Sequence, residues 1–432
     1  MNAATEQFDV VVVGAGQAGS ELASSLRQQG FAGSIALLGD EPWLPYRRPP
    51  LSKGFLSGAD TQESLFIRAQ AFYDKQDIHC RTGIGVESID RAAKRLRLFD
   101  GSMIEYGKLA LATGGRPRRL ALQGADHANV HCIRSIADIV HLQAHFLPGK
   151  KLVVIGGGYI GLEAAAVGIK MGLDVTVVET APRVLARVTA PEISAFYERV
   201  HRNHGAKLLT GVGVHSLDGD TQVEAVTLVD GTRLPADVVI VGIGLIPNTE
   251  LAEVAGIAVE NGIVVDAQTR TSDPDIVAAG DCTFHDNVFY GRRMRLESVS
   301  NAVDQARIAA ATLAGKQVAY DAVPWFWSDQ YDLKLQMVGL SQGYDQLVVR
   351  GNIDGESFCA YYLKDGVVIS ADAVNRAPDF ILAKRLVAGR VVVAPEQLAD
   401  EGFDLKTLFA PKSTVAASEG HAGAAVQGHA ST

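Results

Sequence analysis

Two stretches of the chain repeat one pattern of apolar and polar positions. Each opens on an unbroken apolar run, breaks into glycine, and settles into the three-to-four-residue spacing of a helix. The first reads FDVVVVGAGQAGSELASSLRQQG and the second KLVVIGGGYIGLEAAAVGIKMG. A short apolar run bounded by glycine predicts a strand buried on both faces, and the periodic segment after it predicts a helix packed on that strand. A further apolar strand follows each helix, SIALLGDE in the first and DVTVVET in the second. Three more apolar runs carry glycine near their ends: LALATGGRP (109–117), VVIVGIGLIPN (238–248) and TSDPDIVAAGDC (271–282). From about Pro324 the period changes. VPWFWSDQYDLKLQMVGL, QLVVRG and SFCAYYLKDGVVISADAVN alternate apolar and polar residues between turn signals, which predicts antiparallel strands. Helices are predicted around APDFILAKRLVAG and PEQLAD, and STVAASEGHAGAAVQGHAST, with no apolar period, reads as a disordered tail.

The order of these signals predicts an α/β chain with two Rossmann-like dinucleotide-binding domains and a C-terminal α+β domain. The second Rossmann-like domain interrupts the first, because TSDPDIVAAGDC reads as a strand of domain one reached only after domain two is complete. The expected boundaries are 1–115 for the first part of domain one, 116–245 for the insertion, 246–323 for the return, 324–412 for the C-terminal domain and 413–432 for the tail.

The glycines carry the chemistry. Gly14 permits a tight turn, Gly16 lets main chain approach a pyrophosphate, and Gly19 allows the helix to lie close on the strand. The helix N-terminus supplies partial positive charge to the same spot. Asp40 at the end of the next strand can accept hydrogen bonds from a ribose hydroxyl. Gly156, Gly158 and Gly161 repeat the plan, with Glu179 as the acid. One such fingerprint is weak; two, each with strand, helix and a spaced acid, argue for two adenine dinucleotides on one chain. A nicotinamide coenzyme that delivers hydride and FAD that receives it would meet this requirement.

Composition narrows the partners. The net charge of −9 gives no bulk attraction to nucleic acid or membrane, so any basic docking surface must be local. No basic segment followed by an apolar run opens the chain and no apolar run is long enough to span a bilayer, so a cytoplasmic protein is expected. Cys80, Cys132, Cys282 and Cys359 are far apart, with neither redox-dithiol nor zinc spacing. His201 and His204 stand three apart but lack a third ligand, and a solvated helix face is the expected reading.

Beyond the glycines, the chain carries RRPPLSKGFLSG, ESLFIR, LALATGGRPR, RVLARVTAPEISAFYE, GTRLPADVVIVGIGLIPN, GDC, RLESVSNAVDQAR and PWFWSDQY. On these it resembles the FAD-dependent ferredoxin reductases of the glutathione-reductase fold, over almost everything to about residue 410. The resemblance implies FAD contacts at Ala18, Asp40, Lys53, Val86, Arg134, Asp281 and Val299. Lys53 would reach the flavin ring, paired with Glu163, which is expected in the first helical turn after Gly161. Trp327 would lie near the flavin. For NAD it implies the turn from Gly156 to Ile160, including Tyr159, together with Glu179 and Gly242; Glu297 would stand near the nicotinamide.

Disulfide reductases of this fold carry C-x4-C beside the flavin, whereas here the corresponding PYRRPPLSKGFL has no cysteine. Two electrons therefore cannot leave as a dithiol. The family route is hydride from NADH to FAD, then single electrons to two [2Fe–2S] ferredoxins serving a haem-thiolate monooxygenase or a ring-hydroxylating dioxygenase. An NADH oxidase or peroxidase would need a catalytic cysteine near the flavin, and a flavin-bound redox sensor usually carries basic surfaces or targeting segments. Ferredoxins of this type are acidic, so docking is expected at Arg68, Arg307 and Lys406, with Lys334 a weaker candidate. Nothing suggests an obligate dimer, and a monomer is expected.

Overall fold

The structure, a computed structural model, describes residues 6–409. The tail and residues 410–412 of the expected C-terminal domain lie outside the described residues. The strands Glu6–Val13 and Ile35–Leu38 pair in parallel, joined by the helix Gln17–Gln28, as the buried apolar runs require. Ile78–Arg81 extends this sheet on one side and Met103–Leu111 on the other. The returning strand Ile276–Ala278 pairs in parallel with Leu109–Leu111, so one sheet is assembled from both ends of an interrupted unit.

The interruption is a second parallel sheet in the order Lys207–Thr210, Asp174–Glu179, Lys151–Ile155, Val238–Val241 and Val130–His131. The chain leaves and re-enters the first unit through Gly115–Pro117 and Leu245–Pro247, which pair antiparallel. Thr113 and Asn248 fasten this crossing: the Thr113 hydroxyl donates to the Asn248 carbonyl (2.6 Å), and the Asn248 amide donates to the Thr113 carbonyl (2.9 Å). The last third is a five-stranded antiparallel sheet, ordered Trp325–Gln330, Leu333–Gly339, Val367–Val374, Ser357–Lys364 and Gln346–Asn352, with the helix Ala377–Ala388 on it. The α/β class, the inserted second dinucleotide fold and the α+β end are therefore as expected. Among the described residues no helix is long and apolar enough to cross a membrane.

A single apolar cluster joins the insertion to the last sheet. Phe146, Leu152, Tyr197 and Val200 from the insertion and Leu335, Phe358 and Tyr362 from the last sheet are all buried in it, as are Leu51 and Phe55 from the first unit. This common core is what holds the walls of the candidate site together.

Candidate functional site

A cleft of about 430 Å³ is walled by residues of all three parts of the fold. Gly14, Gly16 and Ala18 line it from the first glycine turn, with Asp40 beyond the next strand. Arg134 lines it near the start of the insertion, and Asp281 and Val299 after the return. Tyr159, Ile160 and Glu163 reach it from the second cradle's helix, Glu297 from beside Val299 in the returned part of the first unit, and Phe326 and Trp327 from the last sheet.

The two glycine turns obey one steric logic. A Cβ on Gly14, at φ +108°, would stand 2.2 Å from the Ala112 carbonyl oxygen, and one on Gly19 would stand 1.9 Å from the Gly14 oxygen. In the second turn a Cβ on Gly156 would stand 2.3 Å from the Gly242 oxygen, and one on Gly161 2.1 Å from the Gly156 oxygen. These four positions are closed by the protein's own main chain. Gly16 and Gly158 are different, because a Cβ at either would meet nothing within 4 Å. The space above them is free for a ligand backbone at a helix N-terminus, as a pyrophosphate requires.

Lys53 follows the short helical turn Pro49–Ser52. Its Nζ donates to Glu163 Oε2 at 2.6 Å, and the Ser52 hydroxyl donates to the same oxygen at 2.5 Å. The Ser328 hydroxyl donates to Glu163 Oε1 at 2.7 Å. Glu163 is only 4% exposed. A buried carboxylate is tolerated when a cation and several donors replace its water, and three donors from two parts of the chain, Ser52 and Lys53 from the first unit and Ser328 from the last sheet, do so here. Glu163 is the fifth residue of the helix Tyr159–Lys170, just past the first turn in which it was expected. Glu163 is buried against Lys53, while Ile160, in the turn before it, is 47% exposed.

Arg134 and Asp281 form an ion pair at 3.4 Å. Burial, and then the charge of the neighbouring Arg48, hold the Arg134 guanidinium below its usual pKa. Its Nε is buried without a partner. Arg48 itself donates to Glu41 and to the Tyr46 hydroxyl, both at 2.8 Å, and to the Arg134 carbonyl. An orphaned guanidinium donor beside an open glycine turn fits a phosphate- or carbonyl-bearing group, and so fits FAD.

At the second turn Glu179 accepts from the Gly157 amide at 2.7 Å and from the Ala181 amide at 2.8 Å. Two main-chain donors fix the carboxylate at the rim of the turn. Arg183 is committed within its own loop, donating to the Ser194 hydroxyl and to the Ala186 carbonyl. Arg187 is exposed.

Several sequence expectations change. Val86 is not on the cleft wall: its side chain is buried in the core of the first unit, as an inward residue of the strand Val86–Asp90. Only the main chain there comes near the site, through Gly85, where a Cβ would lie 3.8 Å from Asp40. His201 is not on a solvated face but fully buried, and burial pushes its imidazole down to about 4. The helix carrying it is covered by the last sheet, which sequence spacing could not reveal. His204 is exposed and stacks on Tyr331 at 3.8 Å, and no group of three or more candidate metal ligands occurs among the described residues. Arg68 and Arg307 are not free cations, since both pair with Glu21, at 3.7 and 2.9 Å. Lys406 and Lys334 are exposed. Glu297 lines the cleft, paired with Arg295. No cysteine lines the cleft; Cys282, next to Asp281, is buried against the Leu111 and Ala279 carbonyls.

Sequence reading passes over Ser52, Ser328 and Arg48. The signal for Ser328 was present: in Trp325–Gln330 it shares a strand face with Phe326 and Gln330, opposite Trp325 and Trp327.

Known proteins share this fold. Residues 8–306 match the family described as pyridine nucleotide-disulphide oxidoreductase, and residues 325–409 match the reductase C-terminal family. Putidaredoxin reductase of Pseudomonas putida is 46% identical, with 93% of this chain and 97% of that protein covered. The anthranilate 1,2-dioxygenase system ferredoxin–NAD(+) reductase component of Burkholderia cepacia is 42% identical, over 92% and 98%. Among solved structures, the covalent putidaredoxin reductase–putidaredoxin complex matches with a TM-score of 0.90 at 46% identity, covering 94% of this chain and 99% of that one.

Proposed function

Because this chain belongs to the pyridine nucleotide-disulphide oxidoreductase family, and within it to the FAD-dependent ferredoxin reductases, we propose that it takes hydride from NADH and passes electrons singly to a [2Fe–2S] ferredoxin. That ferredoxin would supply a haem-thiolate monooxygenase or a ring-hydroxylating dioxygenase. Bound FAD supplies a two-electron acceptor that gives its electrons up one at a time. The observation that carries the reading is the buried Lys53–Glu163 pair in a cleft shared by a glycine turn, the second cradle's helix and the last sheet, with no cysteine on the wall.

The residues divide the work as follows. Gly14, Gly16, Ala18 and Gly19 form the FAD cradle, with Asp40 at the ribose and Arg134 and Asp281 along the cofactor. Lys53, fixed by Glu163, presents a cation in a site largely shut from water, where charge acts more strongly than in bulk solvent. Gly156, Gly158, Tyr159, Ile160 and Gly161 form the NADH cradle, backed by Gly242. Glu179 selects NADH, since its fixed carboxylate can accept from a 2′-hydroxyl and repels a 2′-phosphate. Glu297, Val299 and Trp327 complete the reacting end.

Docking of an acidic ferredoxin to this acidic chain needs a focused basic patch. Arg307, 58% exposed even while paired, and Lys406 are the cations offered. Arg68 contributes behind them: its guanidinium lies over Phe72, and it shares Glu21 with Arg307. We place the protein in the cytoplasm as a monomer, with unit boundaries near 115, 245 and 323.

The test is NADH-dependent cytochrome c reduction with and without a [2Fe–2S] ferredoxin, on wild type and Lys53→Met. The reading expects strong ferredoxin dependence, and hydride transfer slowed about 100-fold in Lys53→Met with FAD retained. Equal rates with and without ferredoxin would overturn it.

A further inference from the structure

Glu163 is the inner end of a hydrogen-bond chain that continues well away from the cleft. Ser328 Oγ donates to Glu163 Oε1 at 2.7 Å. Gln330 Nε2 donates to Ser328 Oγ at 3.2 Å, and Gln330 Oε1 lies 2.9 Å from His201 Nε2. His201 Nδ1 lies 3.1 Å from the Tyr331 hydroxyl. Ser328, Gln330 and His201 are at most 1% exposed, so the links among Glu163 and these three cannot exchange a partner for water.

The direction of every link follows from the carboxylate. An ionised Glu163 can only accept, so the Ser328 proton points at it. The Ser328 oxygen, its proton committed, accepts from the Gln330 NH₂. That orientation turns the Gln330 carbonyl to His201, which must carry its proton on Nε2. Nδ1 is then bare and accepts from Tyr331. Burial keeps this imidazole neutral by pushing it down to about 4, with His204 adding in the same sense and Gln330 opposing. Four groups thus align their dipoles toward one buried anion, and aligned hydrogen bonds polarise one another.

Resting on the reading that Lys53 and Glu163 stand beside the flavin, we propose that Ser328, Gln330 and His201 are positioning residues for that pair. They hold the Glu163 carboxylate oriented from the side opposite Lys53, so the cation keeps one position. The chain also links the three parts of the fold. Lys53 belongs to the first unit, Glu163 and His201 to the insertion, and Ser328 and Gln330 to the last sheet. Displacing the helix Pro191–Asn203, which carries His201, would therefore be felt at Lys53 without any change in the cleft wall.

The experiment measures the flavin midpoint potential of the FAD-loaded protein by spectroelectrochemistry, with FAD content and NADH dissociation constant as controls. Gln330→Met and His201→Leu should each lower the potential by about 30 mV, the two-electron equivalent of tenfold. Both should leave FAD content unchanged. His201→Gln, which restores a donor, should recover most of the shift. Tyr331→Phe, at the partly exposed end, provides a mild break should the buried variants fail to fold, with an expected threefold effect in the same direction. Combining Gln330→Met with Glu163→Gln should add nothing to Glu163→Gln alone. If Glu163→Gln moves the potential but Gln330→Met and Tyr331→Phe do not, the positioning chain is overturned while the reading of the pair stands. If Glu163→Gln itself leaves the potential unmoved, the reading of the pair falls and the chain falls with it.

Discussion

The two glycine cradles share their local geometry and differ in their surroundings. In each, a first glycine faces a carbonyl of a neighbouring strand end, a third faces the first, and the middle one faces open space. Around the first turn, however, the cleft is walled by residues of all three parts of the fold. At the second, Ile160 is 47% exposed, and Glu179 is held by main-chain amides at the rim. One cradle suits a resident group and the other a group that arrives and leaves. The same sequence fingerprint thus sits in two different surroundings, set by the elements that cover it.

The strongest way to break this comparison is to close each turn. Gly19→Ala and Gly161→Ala each set a Cβ about 2 Å from a main-chain oxygen, which cannot move cheaply. A cost of about 3 kcal/mol, roughly 100-fold, is expected at each turn. Gly19→Ala should purify with little FAD, whereas Gly161→Ala should stay yellow and lose NADH affinity. Absorbance at purification and a coenzyme titration check this, and equal FAD loss in both variants would erase the distinction.

Acid should separate the two regions next. His131 and His201, both in the insertion, are pushed down to about 4, His131 by burial and then by His145 and His141, and His201 by burial. The interrupted first unit has one such group, His285, also at about 4 through burial. A buried neutral imidazole with a lowered folded pKa stabilises the fold above about 6.5, and that stability drains as pH falls toward 4. At pH 5 each costs about 2 kcal/mol relative to pH 7. Asp372 works oppositely: burial raises it to about 7, so acidification favours its folded state and offsets about one imidazole. Hydrogen exchange at pH 5 against pH 7 should show the insertion loosening before the first unit, and uniform loosening would contradict the assignment. Asp372→Asn should make the acid loss larger.

The acids at the ends of the two cradles differ as well. Asp40 is exposed and accepts only from the next amide, whereas Glu179 is fixed by two amides. Glu179→Ala should shift the ratio of kcat/KM for NADPH over NADH about tenfold toward NADPH, worth about 1.4 kcal/mol. An unchanged ratio would remove Glu179 as the selector.

The smallest effect is expected at Arg307, the cation proposed above for docking. Arg307→Ala should raise the apparent KM for ferredoxin about threefold and leave ferricyanide turnover intact, since an exposed charge contributes about 1 kcal/mol or less. The change should shrink at high salt, within a Debye length of about 8 Å. Salt-independent ferredoxin turnover would point instead to an apolar contact around Trp327.

Much of this molecule was legible in the sequence because its signals are local. Apolar runs ending in glycine, with helical period after them, define strand, turn and helix through main-chain sterics alone. The return of the chain to its first sheet followed from the order of those runs. Lys53 and Glu163 were identified through resemblance, and the main chain around each forms its turn or helix from neighbouring residues. Three things were decided only by tertiary packing. Val86 went to the core because its strand turned that face inward. Glu21 drew Arg68 and Arg307 together from opposite ends of the first unit, removing two free cations. Ser328, Gln330 and His201 became one chain because the last sheet covered a helix whose histidine would otherwise face water. Periodicity reports which face of an element is apolar, but not which element comes to cover a polar side chain. That is settled by burial, where each polar group must find a partner or be excluded.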